Sequence, residues 1–262
     1  MTTAPGPGAR PTTVEHLLRT VKADPGRPRL TWYGPAGERI ELSGHVLDNW
    51  VAKTVNLLVD EYDVGPGATA VVDLPVHWRT LVWSLAVWRA GGCVALTGPE
   101  VATADVSLVV THRPDQWTAA DVVAVPLPAL ARRFDGPLPP GVTDGAGAVM
   151  SHGDVIGWAP ATDLTAAALR HEGTEVSHAE LFAWAAATSA ADGGRVLALP
   201  AGPAPSTSLG TALTLWAAAL TLWAADGSLV LCSPDVAAEL AADPARTARL
   251  VETERVTGTA SI

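Results

Sequence analysis

His152, Asp154, His171-Glu172 and His178 stand close together in the chain. Imidazole and carboxylate side chains in one neighbourhood suit zinc binding or acid–base work. No pair among them has the i, i+4 spacing that places two ligands on one helix face, so they read as polar loop residues around a helix cap, and no metal ligand is assigned. Ser151-His152 and Ser177-His178 set a hydroxyl beside an imidazole. A nucleophile and its base normally meet through the fold rather than along the chain, and Ser177 already has a role as a cap. No catalytic residue is assigned. Lys22 and Lys53 are the only lysines, both near the N-terminus. Cys93 and Cys232 lie far apart inside apolar runs and read as buried thiols rather than a disulfide or a zinc site.

The chain around these residues has 262 positions, 48% hydrophobic and 17% charged, with mean hydropathy +0.23. That content excludes disorder and suffices for a real core. A net charge of −10 argues against nucleic acid and against an anionic membrane surface, both of which must be met with Lys and Arg. The opening MTTAPGPGARPTT has no apolar stretch of the kind a signal peptide needs, so a cytoplasmic protein is expected. Ala201–Ala225 carries no charge and repeats Thr-Leu-Trp-Ala-Ala, but Pro203 and Pro205 break its front. It reads as a buried helix rather than a membrane span.

Helices and short strands alternate. Thr12-x-x-Glu15 opens an amphipathic helix, Arg29–Tyr33 and Glu38–Leu42 form a hairpin around Gly34-Pro35-Ala36-Gly37, and Ser43 caps a long helix. Strands are expected at Thr69–Leu74, Cys93–Leu96, Val106–Val110 and Asp121–Val125, with a buried helix at Val76–Ala90 that is apolar nearly all round. A Pro/Gly-rich connection divides segment 1–135 from segment 151–262, with 136–150 between them, and the two segments pack as one compact unit. Beyond it come a strand at Leu164–Leu169, a helix capped by Ser177-x-x-Glu180, and strands at Arg195–Leu199 and Ser228–Cys232. A helical run over Asp235–Glu254 is broken at Pro244. This rhythm predicts an α/β fold, a mostly parallel sheet with crossover helices. Of the ten tryptophans, most belong to the core and one or two to an interface.

The order of LTWYGPAGERIEL, the Ser43 helix, VGPGATAVVDLP and AVWRAGGCVAL resembles the first half of the adenylate-forming superfamily. That superfamily includes acyl-CoA synthetases, luciferases and the adenylation domains of peptide synthetases. These stretches correspond to its opening hairpin, first long helix, "GV-x-PGD-x-V" turn and "W-KAGA-x-x-x-P" segment. EVSHAELFAWAAAT, GGRVLALPAG and LVETERVTGT resemble the segments downstream of its phosphate loop. A small actinobacterial group of short AMP-binding-like proteins is the nearest likeness. The resemblance implies a Ser/Thr/Gly-rich loop ending in Pro-Lys-Gly that holds ATP phosphates through amides, hydroxyls and a lysine. The matching stretch here is Leu164–Gly173, with Ala166 and Leu169 at glycine positions and Glu172 at the lysine position. A carboxylate facing a triphosphate reverses the sign of such a site. Thr165 and Gly173 are what remains of the cofactor-binding positions.

Where the family carries an aromatic residue and a His beside its acyl pocket, this sequence has Pro200-Ala201-Gly202-Pro203. It reaches Ile262 without the adenine- and ribose-binding segments or the lid with its catalytic lysine, and Lys22 and Lys53 match no catalytic position. The expectation is therefore a catalytically degenerate, non-enzymatic module with no cofactor, binding a protein partner or a small acyl or nucleotide-like ligand. The alternative is an acid-activating enzyme completed by a second chain. A homodimer or partner is expected to cover the apolar face after Ala201.

Overall fold

A computed structural model describes residues 10–96, 105–118, 121–191, 193–201 and 209–262. Helix α1 (Val14–Lys22) leads into the hairpin β1 (Pro28–Tyr33) and β2 (Arg39–Ser43), then helix α2 (Gly44–Tyr62). Strand β3 (Thr69–Asp73), helix α3 (Trp78–Arg89) and strand β4 (Cys93–Leu96) come after it. Next are β5 (Leu108–Thr111), β6 (Val122–Ala124), β7 (Thr143–Asp144) and α4 (Gly145–Met150). The chain continues through β8 (Ala167–His171), β9 (Thr174–Ser177), α5 (Leu181–Thr188), β10 (Arg195–Leu199) and α6 (Leu209–Ala224). It closes with β11 (Ser228–Cys232), α7 (Pro234–Ala242), α8 (Pro244–Thr253) and β12 (Gly258–Ser261).

These strands make two sheets, ordered β12-β10-β11-β1-β2 and β7-β6-β5-β3-β4-β8-β9. All pairings are parallel except the hairpins β1–β2 and β8–β9. Each sheet draws strands from both sides of the Pro/Gly-rich stretch, which itself contains β7 and α4. The largest core cluster joins one face of each sheet to the helices between them: Val72, Val110 and Leu169 from one sheet, Leu30, Val196 and Leu229 from the other. Their neighbours Val71 and Val109 join Trp117 on the outer face of the larger sheet, and Leu197 and Val230 meet Val236 and Leu240 of α7. Strands covered on both faces read as apolar runs, as the central residues of β3, β5, β10 and β11 do. Helix α3 lies between the sheets, touching β1 of one and β3 and β4 of the other. Every residue from Trp78 to Trp88 is buried, which is why α3 lacks a polar face.

Local signals are honoured with small shifts. Thr13, not Thr12, caps α1 by accepting from the His16 amide. Ser43 caps α2 by accepting from the Val46 amide at 3.3 Å. Ser177 belongs to β9, and its amide and hydroxyl both donate to Glu180, so α5 begins one turn later than the capping-box reading predicts. In α6, Leu215–Leu220, Leu222 and Trp223 are buried in the chain's own core against α1, α5 and β11. The described part of that apolar run therefore needs no outside partner; 202–208 lie outside the described residues, with them Gly202 and Pro203. No helix among the described residues is long and apolar enough to cross a membrane.

Candidate functional site

Strand β3 is the switch point of the larger sheet: β4 pairs on one side of it and β5 on the other. The connections leaving β3 and β5 diverge there, opening a crevice beyond their carboxyl ends, the usual place for a ligand in a doubly wound sheet. A cavity of about 660 Å³ occupies this position. It is lined by Pro75, Val76 and His77 after β3, His112 and Arg113 after β5, and Leu127 and Pro128 after β6. From the smaller sheet come Trp32, Pro35 and Glu38 of the β1–β2 hairpin and Ser233–Asp235 after β11. Cavities of ~300–1,000 Å³ with apolar walls and few polar groups are the usual form of small-molecule sites.

Asp73, the last residue of β3, organises the rim. Its side chain is 8% exposed and accepts from Thr111 Oγ1 at 2.6 Å, Trp117 Nε1 at 2.9 Å and Arg113 Nη2 at 2.6 Å. Its backbone carbonyl lies 3.1 Å from His112 Nδ1. A carbonyl only accepts, so Nδ1 carries the proton and Nε2 keeps its lone pair. Burial holds the His112 pKa below the ordinary imidazole value, although the Asp73 carbonyl and carboxylate oppose that shift. His112 and Arg113 are thus fixed in place before any ligand arrives.

His77 forms a second fixed element. Its Nδ1 accepts from the Arg79 amide at 3.1 Å and caps α3, and its ring meets Trp32 edge-on at 4.6 Å. Burial, helped by the Arg79 charge, pushes its pKa down to about 3. His77 is therefore neutral at pH 7 and serves as a wall, not a proton carrier. Behind it Arg79 is 95% buried, stacked 4.4 Å from the Trp78 ring centre, and donates to the Ala129 carbonyl at 3.2 Å. Burial lowers its pKa to about 10, and Glu38 pulls the other way. Glu38 is itself clamped by Trp32 Nε1 at 2.9 Å and the Ala129 amide at 2.6 Å.

The residues singled out in the sequence lie elsewhere. Thr165 precedes β8, where its amide and hydroxyl donate to Asp163 Oδ1 at 2.9 and 2.7 Å. Gly173 lies just after β8, at the hairpin turn. The strand separates the two, and they are not brought together. His171 pairs with Thr174 across only Glu172 and Gly173, whose φ values of 44° and 76° give a tight two-residue turn. His178 is buried, its Nε2 donating to the Gly91 carbonyl at 3.2 Å. His152 lies 3.7 Å from Glu61 and 3.9 Å from Asp60. Among the described residues, no three His, Cys, Asp or Glu side chains gather as a metal would require. Both cysteines are free and buried, and burial pushes Cys93 up to about 11 and Cys232 to about 12. Asp73, His77, His112 and Arg113 escaped the sequence reading. Their signal was position: each ends or succeeds a strand at the switch point.

Comparison with solved structures places this fold. The crystal structure of Brucella canis acyl-CoA synthetase superposes with TM-score 0.68 at 19% identity, over 94% of this chain and 46% of that one. Klebsiella oxytoca NpsA in complex with 3-hydroxyanthranilyl-AMSN gives TM-score 0.62 at 11% identity, over 95% and 47%. The chain has the α/β fold of acyl-CoA synthetases. The predicted fold class and the resemblance to adenylate-forming enzymes hold at this level. No family model matches the chain. Among curated proteins, a TIGR03089 family protein of Mycobacterium tuberculosis is 40% identical over 157 residues, covering 56% of this chain and 63% of that protein. The chain thus spans under two thirds of that relative and just under half of each solved structure.

Proposed function

We propose that this is an adenylate-forming-like protein that does not adenylate: a cytoplasmic, non-enzymatic module that holds a small ligand at the carboxyl ends of β3 and β5. The observation that carries the reading is the β8–β9 turn. A phosphate loop needs a glycine-rich stretch long enough to curl its amides around an anion. Two residues close this hairpin, one of them Glu172, and Thr165 and Gly173 sit at opposite ends of β8. On this reading those two are vestiges that no longer serve one ligand. The cavity supports the binding role, because Asp73 fixes His112 and Arg113 at its rim and its walls are largely apolar.

A protein partner or second copy belongs to the same proposal. Between Met150 and Leu164 the apolar side chains of Met150, Val155, Trp158 and Leu164 stand exposed, Trp158 by 68%. The backbone from His152 to Gly157 is tied to α2: Asn56 donates to the Gly153 and Val155 carbonyls and accepts from the Gly157 amide, and Lys53 donates to the His152 carbonyl. A tryptophan held outward on a fixed loop suits an interface. The activity claim is tested by carboxylate-dependent exchange of pyrophosphate into ATP, with and without candidate partner chains. Exchange at the level of a heat-killed control is expected, and Glu172→Lys does not rescue it. Exchange well above that control in either setting reinstates the acid-activating alternative.

A further inference from the structure

The charges around the cavity are already answered within the protein, and that balance constrains what it can hold. Arg113 is ion-paired with Asp73 at 2.6 Å. Glu38 accepts two hydrogen bonds and lies in the field of buried Arg79. Asp235 occupies the first turn of α7, where a carboxylate offsets the positive end of the helix dipole. His77 and His112 are neutral at pH 7. Among the described lining residues the one cation, Arg113, is already matched by a carboxylate, and an entering carboxylate or phosphate meets Glu38 and Asp235. Desolvating such a group without a compensating partner is strongly unfavourable. The remaining walls, Trp32, Pro35, Val76 and Leu127, offer apolar surface. Two side-chain atoms of the lining meet no protein partner among the described residues: Arg113 Nε, a donor buried behind the ion pair, and His112 Nε2, a lone-pair acceptor.

We infer that the cavity selects an uncharged ligand with an apolar aryl or alkyl body and one hydroxyl group that donates to His112 Nε2. This rests on the cavity being the ligand site, as proposed above, and gives it a specificity opposite to that of an acid-activating enzyme. A carboxylic acid or a nucleotide is excluded by charge rather than by size.

Titration calorimetry on the full chain at pH 7.5 tests this with three probes of similar size. These are 4-butylphenol, the anionic 4-butylbenzoate, and 4-butylanisole, which lacks the donor. The phenol is expected to bind about tenfold or more tightly than either, the difference one unmade buried hydrogen bond gives. Leu127→Trp, which fills the cavity, removes phenol binding, and His112→Phe erases the preference for phenol over anisole. Benzoate binding as tight as phenol overturns the inference and leaves the ligand-site reading standing. Phenol and anisole binding equally to the unmodified protein removes the role of His112. No binding by any probe, or phenol binding that Leu127→Trp leaves unchanged, overturns both readings. The unmodified protein ranks the probes even if a variant fails to fold.

Discussion

The larger sheet ends in two ways along one side. At β3 and β5 the chain leaves through loops whose side chains are fixed around a cavity: Asp73 holds His112 and Arg113, and His77 caps α3 against Trp32. At β8, three strand positions away from β5 in the sheet order, the chain turns straight back through Glu172 and Gly173 into β9. Both places sit at carboxyl ends of parallel strands, where α/β folds put their chemistry. One has depth and fixed polar groups; the other is a hairpin closed by a two-residue turn. A shared fold therefore does not carry a shared site, and function has to be argued from the geometry at each strand end.

The largest expected effect sharpens the first half of that contrast. Asp73→Ala leaves Arg113 unpaired and deprives Thr111 and Trp117 of their acceptor, so the protein should lose about 3 kcal/mol of stability. Urea unfolding measures this, and a loss under about 1 kcal/mol, the scale of a single hydrogen bond, means the rim is not the built unit described.

Acid comes next. His77 has its pKa lowered from 6.5 to about 3 in the folded state, so below pH 6.5 the unfolded chain binds the extra proton. Its contribution is complete above pH 6.5 and is lost as pH falls toward 3. Between pH 7 and pH 5 that amounts to about 2 kcal/mol. His112 and His178, also lowered by burial, act in the same direction. His77→Asn, which retains a capping side chain, should flatten the fall in urea midpoint over this range. An unchanged slope places the titrating groups elsewhere.

The smallest effect belongs to the hairpin. Glu172 holds φ 44°, a conformation glycine and asparagine adopt more readily. Glu172→Gly should be neutral or stabilising by about 0.5 kcal/mol, since it relieves left-handed strain at the cost of chain entropy. A loss above about 1 kcal/mol would show that the carboxylate has a role the turn geometry does not reveal. Trp158→Ala should leave unfolding unchanged while reducing self-association or partner capture in sedimentation velocity.

Much of the fold was legible because local signals and burial agree. The GPAG hairpin, the Ser43 cap, the buried helix α3 and the strands β3, β4, β10 and β11 lie within a few residues of their expected limits. Of the ten tryptophans, seven are buried, Trp50 and Trp184 are half-buried, and Trp158 alone is exposed. The parts that escaped are short or set by tertiary pairing. β7, β9 and β12 span two to four residues each, too few for a period to show. The β8–β9 hairpin is hidden in the sequence because an ungapped match of Leu164–Gly173 to a longer loop passes over the turn. The cavity was invisible for a different reason: His77 and His112 are far apart in sequence, and only the reversal of strand order at β3 brings them together.

A thermal-melting series with one set of ligands tests the contrast most directly. At about 100 times its dissociation constant a ligand adds about 2.7 kcal/mol, which for a chain of this size raises the melting temperature by about 5 °C or more. The account predicts such a rise with 4-butylphenol, and shifts within about 1 °C for millimolar ATP, AMP, CoA and an acyl-adenylate mimic. A rise of several degrees with ATP or AMP, and none with the phenol, contradicts it.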